Sequence, residues 1–232
     1  MNDSRQQELQ FQCVSSFEDL VSFPYKDEIN AICWKRNLIG DFSEVVKKID
    51  FQENMLEISE EHLVNIELSK RGQLAREILL QDLHLLKELG ASPILNLIRF
   101  YDRDDENPIF PLDVYSYHVD RSPIPTHTFL CTYFGAASEI IPNSQAIQKI
   151  HIPEIRAELK KMYDGSEDGF EDFLTENFFD LHYQAKPDAQ LIDCGIGNLW
   201  KISVDYPSNN VLPCLHRAPL EKHGQTRLLL IC

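Results

Sequence analysis

Four side chains in the second half of this 232-residue chain have the types and spacing for metal-dependent oxidation: His118, Asp120, His216 and Arg227. Two imidazoles and one carboxylate gathered on one face of an ion suit a mononuclear Fe(II) oxygenase. Three such ligands leave three octahedral positions, two for a bidentate 2-oxo acid and one for dioxygen, and a fourth protein ligand would remove a needed vacancy. A guanidinium adds a planar fork for the far carboxylate of a dicarboxylate co-substrate, and it stays charged at every working pH.

The segments around these residues must position them. Val114-Tyr115-Ser116-Tyr117-His118-Val119-Asp120 is rich in β-branched and aromatic residues and predicts a strand. Alternation then points His118 and Asp120 to the same side. Val211-Leu212-Pro213-Cys214-Leu215-His216 carries the distant ligand, followed by Pro219 and the polar turn Glu221-Lys222-His223-Gly224-Gln225. Arg227 re-enters ahead of Leu228, Leu229, Leu230 and Ile231. A guanidinium in such a run needs an anion, either an internal carboxylate or a ligand's.

Further candidates lie near these positions. Tyr133, in the strand Thr128–Phe134, could donate its hydroxyl to the co-substrate carboxylate, or serve as core or rim; Thr132 points to the opposite face. Tyr117 and Arg121 flank the proximal ligands and Arg217 adjoins His216; these three are candidate substrate contacts, with a surface ion pair the alternative for Arg217. His62 and His84 fall on helical patterns, and His151 and His182 lie in an intervening segment, where ordinary surface or core roles are expected. His127 and His223 are closer to the expected strands, but a triad needs neither.

Periodicity gives the coarse organisation. Residues 41–50 and 72–89 predict amphipathic helices, the second with Leu74, Ile78, Leu79, Leu83, Leu86 and Leu89 at helical spacing and stopped by Gly90 and Pro93. Short strands are expected at about 94–101, 112–120, 127–134, 199–204, 211–217 and 226–231. Between the third and fourth of these, Pro153–Tyr163 and Gly169–Phe179 predict helices that could cover the site as a lid or lie on the surface. The reading is one domain over 1–232, with 1–93 mostly a helical support and 94–232 a β core carrying a helical insertion at about 143–183.

Composition excludes several classes. A formal charge of −15 and a pI near 4.9 disfavour nucleic acid and anionic membranes as partners. Met1-Asn2-Asp3-Ser4-Arg5-Gln6-Gln7-Glu8 lacks the apolar core of a secretory signal and no run is long enough to span a bilayer, so a cytoplasmic protein is expected. The six cysteines form no Cys-x-x-Cys pair and are expected as reduced thiols. There is no Gly-x-Ser-x-Gly elbow, and Gly195-Ile196-Gly197 lacks the third glycine of a nucleotide loop. Asp104-Asp105 and Glu60-Glu61 fit a solvated face better than paired-carboxylate catalysis.

Ala31-Ile32-Cys33-Trp34-Lys35-Arg36, Tyr117-His118-Val119-Asp120-Arg121, Leu130-Cys131-Thr132-Tyr133-Phe134-Gly135, and Leu215-His216-Arg217-Ala218-Pro219 with Arg227-Leu228-Leu229-Leu230 resemble an uncharacterised bacterial family, domain-of-unknown-function family 1826. The similarity runs from about Ala31 to Ile231. The last two blocks also resemble the wider Fe(II)/2-oxoglutarate-dependent oxygenases. That resemblance implies a mainly β (α+β) fold, a double-stranded β-helix of jelly-roll or cupin kind with an N-terminal helical layer. It also implies His118, Asp120 and His216 as ligands of Fe(II), and Arg227 as the partner of the distal carboxylate of 2-oxoglutarate. The substrate to be hydroxylated would be a small molecule or a protein side chain; oligomeric state is left open. The rival expectation is a non-catalytic metal- or small-ligand-binding protein on the same barrel.

Overall fold

Strong helical periodicity in the first half becomes the helix Lys70–Glu88, one of four that lie against a sheet. The computed structural model describes residues 10–220 and 224–232; the N-terminal stretch 1–8, and Glu221, Lys222 and His223 of the expected turn, lie outside them. In chain order the elements are β1 (Phe11–Val14), α1 (Phe17–Ser22), β2 (Ala31–Trp34), α2 (Phe42–Lys48), β3 (Met55–Ile58), α3 (Glu60–Asn65), α4 (Lys70–Glu88), β4 (Ile94–Ile98), β5 (Tyr117–His118), β6 (His127–Phe134), β7 (Glu139–Ile141) and β8 (Ala146–Gln148). They continue with α5 (Pro153–Met162), α6 (Phe170–Glu176), β9 (His182–Ala185), β10 (Ile192–Asp193), β11 (Leu199–Ser203), β12 (Leu215–Arg217) and β13 (Arg227–Ile231).

The fold is mixed α and β, with two sheets. The seven-stranded sheet runs β1-β2-β11-β6-β13-β4-β3 and the six-stranded one β10-β7-β12-β5-β9-β8. Only β1 and β2 pair in parallel among these strands. From β4 onward the pairing is nested: β4 with β13, β5 with β12, β6 with β11 and β7 with β10, all antiparallel. Strands β4 to β7 alternate between the sheets and so do β10 to β13, so residues distant in sequence meet across each ladder.

Alternation sorts the side chains into two cores. On β6, Phe129, Cys131 and Tyr133 face the helices, packing with Leu79, Leu83 and Leu86 of α4. Leu130 faces the other way, against Ile140 of β7, Trp200 and Ile202 of β11, Cys214 and Leu229 of β13. Each fully buried Leu, Ile or Phe contributes about 1.5–3 kcal/mol relative to exposure, which is enough to fix the face of every strand.

One charge sits inside the helix-facing core. Asp82 of α4 is 2% exposed and takes Arg36 Nη1 at 2.7 Å on one oxygen and the Tyr133 hydroxyl at 2.5 Å on the other. Arg36 also stacks 4.5 Å from the Trp34 ring and donates to the Gly197 carbonyl. The cluster ties α4 to β2, β6 and the turn before β11.

The N-terminal 93 residues do more than support: β1, β2 and β3 extend both edges of the larger sheet. These four-residue strands are too short for alternation to register, and β2 is buried on both faces. The segment 143–183 holds α5 and α6 around a small core of Phe110, Ile150, Leu159, Phe170, Leu174 and Phe179, but its ends form β8 and β9, which widen the smaller sheet beyond β5. The expected strand over 112–120 is regular only at Tyr117–His118, preceded by a turn held by Asp113.

Asp82→Ala should lower unfolding free energy by about 3–5 kcal/mol, because it strands the Arg36 guanidinium in the core without its anion. Urea unfolding checks this; a loss below about 1 kcal/mol would mean that water screens the pair.

Candidate metal centre

The centre begins with strand register. His216 of β12 lies directly opposite His118 of β5, and directly paired residues of an antiparallel ladder point to the same face. Their ring centroids are 4.5 Å apart. Asp120 follows His118 by two residues, where Asp205 N donates to its carbonyl at 2.8 Å and keeps the chain extended. Its Oδ1 is 3.9 Å from His118 Nε2 and 3.7 Å from His216 Nε2. One ligand atom from each of the three lies within 4.8 Å of the other two.

The second atom of each group is already committed. His118 Nδ1 is 2.8 Å from the Ser116 carbonyl, and His216 Nδ1 is 3.2 Å from that of Cys214. A carbonyl only accepts, so Nδ1 carries the proton in both rings and Nε2 presents its lone pair to the centre. Asp120 Oδ2 accepts from the Thr128 hydroxyl at 2.5 Å, leaving Oδ1 for an ion. Ligands at about 2.1 Å in adjacent octahedral positions are about 3 Å apart, so small side-chain rotations close the present spacing. The donor set fits a divalent transition metal with open positions.

Electrostatics favour the ligating protonation states. Burial pushes the His118 imidazole down to about 4, and the adjacent His216 adds to this against the Ser116 hydrogen bond. Burial opposes ionisation of Asp120, but His216, the Thr128 hydroxyl and His118 together hold its carboxyl below the usual range. Neutral imidazole and ionised carboxylate are the forms a cation binds.

Arg227 opens β13 and points between the sheets, on the face of Leu229. It is 7% exposed, and its Nη2 donates to Thr132 Oγ1 at 3.0 Å and Ser138 Oγ at 2.6 Å. Nη1 reaches the Tyr101 hydroxyl at 3.5 Å, and Nε is buried without a partner. Among the described residues no carboxylate pairs with it, and burial lowers its pKa. Gly135 makes this placement feasible: at φ +89° a Cβ there would lie 2.6 Å from the Thr226 carbonyl and 3.0 Å from Arg227 Cα. Ile98, Tyr101, Ala136 and Pro219 line a narrow cleft of about 30 Å³ at the arginine.

The remaining sequence candidates lie elsewhere. Tyr133 points away from Arg227 into the helix-facing core, stacked 5.4 Å from Phe42 and bonded to Asp82, because it is one residue out of phase with Thr132. Thr132, not Tyr133, is the residue of this pair that meets Arg227, accepting from its Nη2. Tyr117 and Arg217 occupy the face of the smaller sheet opposite to the histidines: Glu139 Oε2 accepts from Arg217 Nε at 2.7 Å and from the Tyr117 hydroxyl at 3.4 Å. Arg121 bridges Asp180 and Asp205 at 2.5 and 2.8 Å. All three are held in internal contacts and none adjoins the ion site.

Comparison with family models, curated proteins and solved structures returned no match. No described helix is long and apolar enough to cross a membrane. Sequence reasoning missed Thr128 and Ser138, whose roles depend on partners eight and 89 residues away. It also left His182 an ordinary core residue, whereas β9 places it directly opposite His118, ring centroids 5.9 Å apart.

Metal-free protein should lose stability as pH falls from about 6.5 toward 4. A His whose folded pKa is depressed takes up its proton in the unfolded chain first, so its contribution is complete above the unfolded value and disappears as pH drops through this window. The depressed Asp120 acts only at lower pH, below its ordinary 3.8. Urea midpoints across that range test this; a flat profile would contradict a neutral, buried His118 imidazole. Separately, Asp120→Ala should stay folded by circular dichroism yet bind Zn(II) at least tenfold more weakly by calorimetry.

Proposed function

We propose that this protein is an Fe(II)- and 2-oxoglutarate-dependent oxygenase built on a double-stranded β-helix, hydroxylating a small molecule or a protein side chain. The observation that carries the reading is a buried arginine with no carboxylate partner among the described residues, bonded to Thr132 on the face of β6 whose Thr128 holds a two-histidine, one-carboxylate cluster. The nested pairing of β4–β7 with β10–β13 supports the jelly-roll class, in which eight strands fold back on themselves across two sheets.

Ferrous iron with 2-oxoglutarate and dioxygen would supply the oxidant for a substrate C–H bond, and 2-oxoglutarate would leave as succinate and carbon dioxide. His118, Asp120 and His216 would hold the ion. The Ser116 and Cys214 carbonyls orient the two rings, and Thr128 keeps one Asp120 oxygen turned away so that the carboxylate binds through the other. Thr132 and Ser138 take both protons of Arg227 Nη2 and fix the guanidinium before the anion arrives, leaving its charge and its Nε and Nη1 protons for the far carboxylate. Burial excludes the water that would otherwise compete for that charge.

Anaerobic addition of Fe(II) and 2-oxoglutarate should give a metal-to-ligand charge-transfer band that neither gives alone. Arg227→Lys should weaken 2-oxoglutarate at least tenfold while leaving Fe(II) affinity within about twofold, since an ammonium keeps the charge but cannot hold Thr132 and Ser138 and present planar donors to the anion together. Metal binding without the band would favour a metal-binding protein with no co-substrate. Equal 2-oxoglutarate affinity in both proteins would remove Arg227 from the site.

A further inference from the structure

A line of polar side chains crosses the smaller sheet on its inner face and continues past the two histidine ligands. His216 on β12 faces His118 on β5, and His118 faces His182 on β9. Gln148, the last residue of β8, pairs with Tyr183, so the next residue, Lys149, comes level with His182. At about 4.8 Å between strands, His182 lies one strand and Lys149 two strands beyond His118.

Both outer members of this line have unfilled hydrogen-bonding capacity. His182 is 5% exposed, its Nδ1 is sealed without a partner, and neither ring nitrogen makes a hydrogen bond among the described residues. Leaving such a group unsatisfied costs about 1–3 kcal/mol. Lys149 is half-buried and donates one of its three protons, to Ser116 Oγ at 2.9 Å, with its ammonium 4.5 Å above the Phe110 ring. No ion pair to it exists among the described residues. Asp113 and Asp104 are the carboxylates that act on this pair, and both are occupied by backbone amides: Asp104 takes Leu112 N, and Asp113 takes Asp104 N and Tyr115 N. An unpartnered imidazole nitrogen and a lysine ammonium with protons to spare, side by side next to a metal ligand, suit an anionic acceptor.

We propose that His182 and Lys149 form the subsite that binds a carboxylate of the primary substrate, one to two strand spacings from the metal. The word substrate rests on the oxygenase reading; the carboxylate site itself does not. Phe110 lies over both groups, with its ring centroid 6.2 Å from that of His182 and 4.5 Å from the Lys149 ammonium. The C–H bond presented to the metal is therefore a few bonds from the carboxylate. A free carboxylic acid and a glutamate or aspartate side chain in a peptide share this chemistry.

The test follows the His182 ring by NMR in metal-free and Zn(II)-loaded protein, the latter saturated with 2-oxoglutarate, during titration with acetate, propionate and benzoate, with their primary amides, and with capped pentapeptides centred on Glu or Gln. Carboxylates should shift the ring signal and amides should not. Response to the free acids alone would assign a small-molecule substrate, and response to the Glu peptide a protein side chain. His182→Phe and Lys149→Met should each weaken the responding probe at least tenfold, measured by ligand-induced thermal shift, with Zn(II) and 2-oxoglutarate affinities within twofold of wild type. His182→Phe should also melt at or above the wild-type temperature, as removal of an unsatisfied imidazole predicts. No response from any carboxylate, or unchanged probe affinity in both variants, overturns the proposal. If Zn(II) fails to bind, the oxygenase reading falls, while the metal-free titration still decides the carboxylate site.

Discussion

The direct opposition of His118 and His216 across the β5–β12 ladder is the constraint on which the site depends. A slip of one residue in that register would turn one imidazole to the outer face, where Tyr117, Glu139 and Arg217 now sit. That outer cluster acts as a register lock. Glu139 of β7 grips Arg217 of β12 and touches Tyr117 of β5, so three adjacent strands are pinned on the side away from the histidines. A charge network that does no chemistry holds the chemical face in phase.

A second buried charge holds the larger sheet. Asp82, Arg36 and Tyr133 join α4 to β6, and β6 carries Thr128 and Thr132 on its other face, against Asp120 and Arg227. The helical layer therefore sets the depth and tilt of the strand whose hydroxyls orient both a metal ligand and the arginine. Both hydroxyls bond charged groups, at 2.5 and 3.0 Å, where errors of a few tenths of an ångström weaken the interaction.

Much of this was legible in the sequence where a pattern was long or chemically costly. Periodicity located α2, α4, α5 and α6 to within a few residues, and strands β4, β6, β11, β12 and β13 fell inside their expected ranges. The triad was legible because histidine and aspartate two apart on a strand must share a face; Arg227 because a guanidinium among leucines has few explanations. Tyr133 went astray for the same reason that Thr132 was already placed opposite it: alternation assigns one of the two to the arginine, and the aromatic was the more conspicuous choice. Strands β7, β8 and β10 are two or three residues long, below the reach of any period, and their ladder partners are themselves only two to four residues long. The outward turn of Tyr117 and Arg217 was implicit in the same alternation that turned His118 and His216 inward.

The nested ladder has a consequence for the order in which the molecule can assemble. β13 lies between β4 and β6, so the centre of the larger sheet stays open until the last strand of the series inserts. Contacts of such large sequence separation carry a high loop-closure entropy and slow the search for the native topology. A growing chain therefore exposes two unpaired strand edges until Arg227–Ile231 has emerged, and the charged first residue of that strand enters an almost finished interior. The costliest side chain to desolvate is buried last, when the hydroxyls of Thr132 and Ser138 are already in place to receive it.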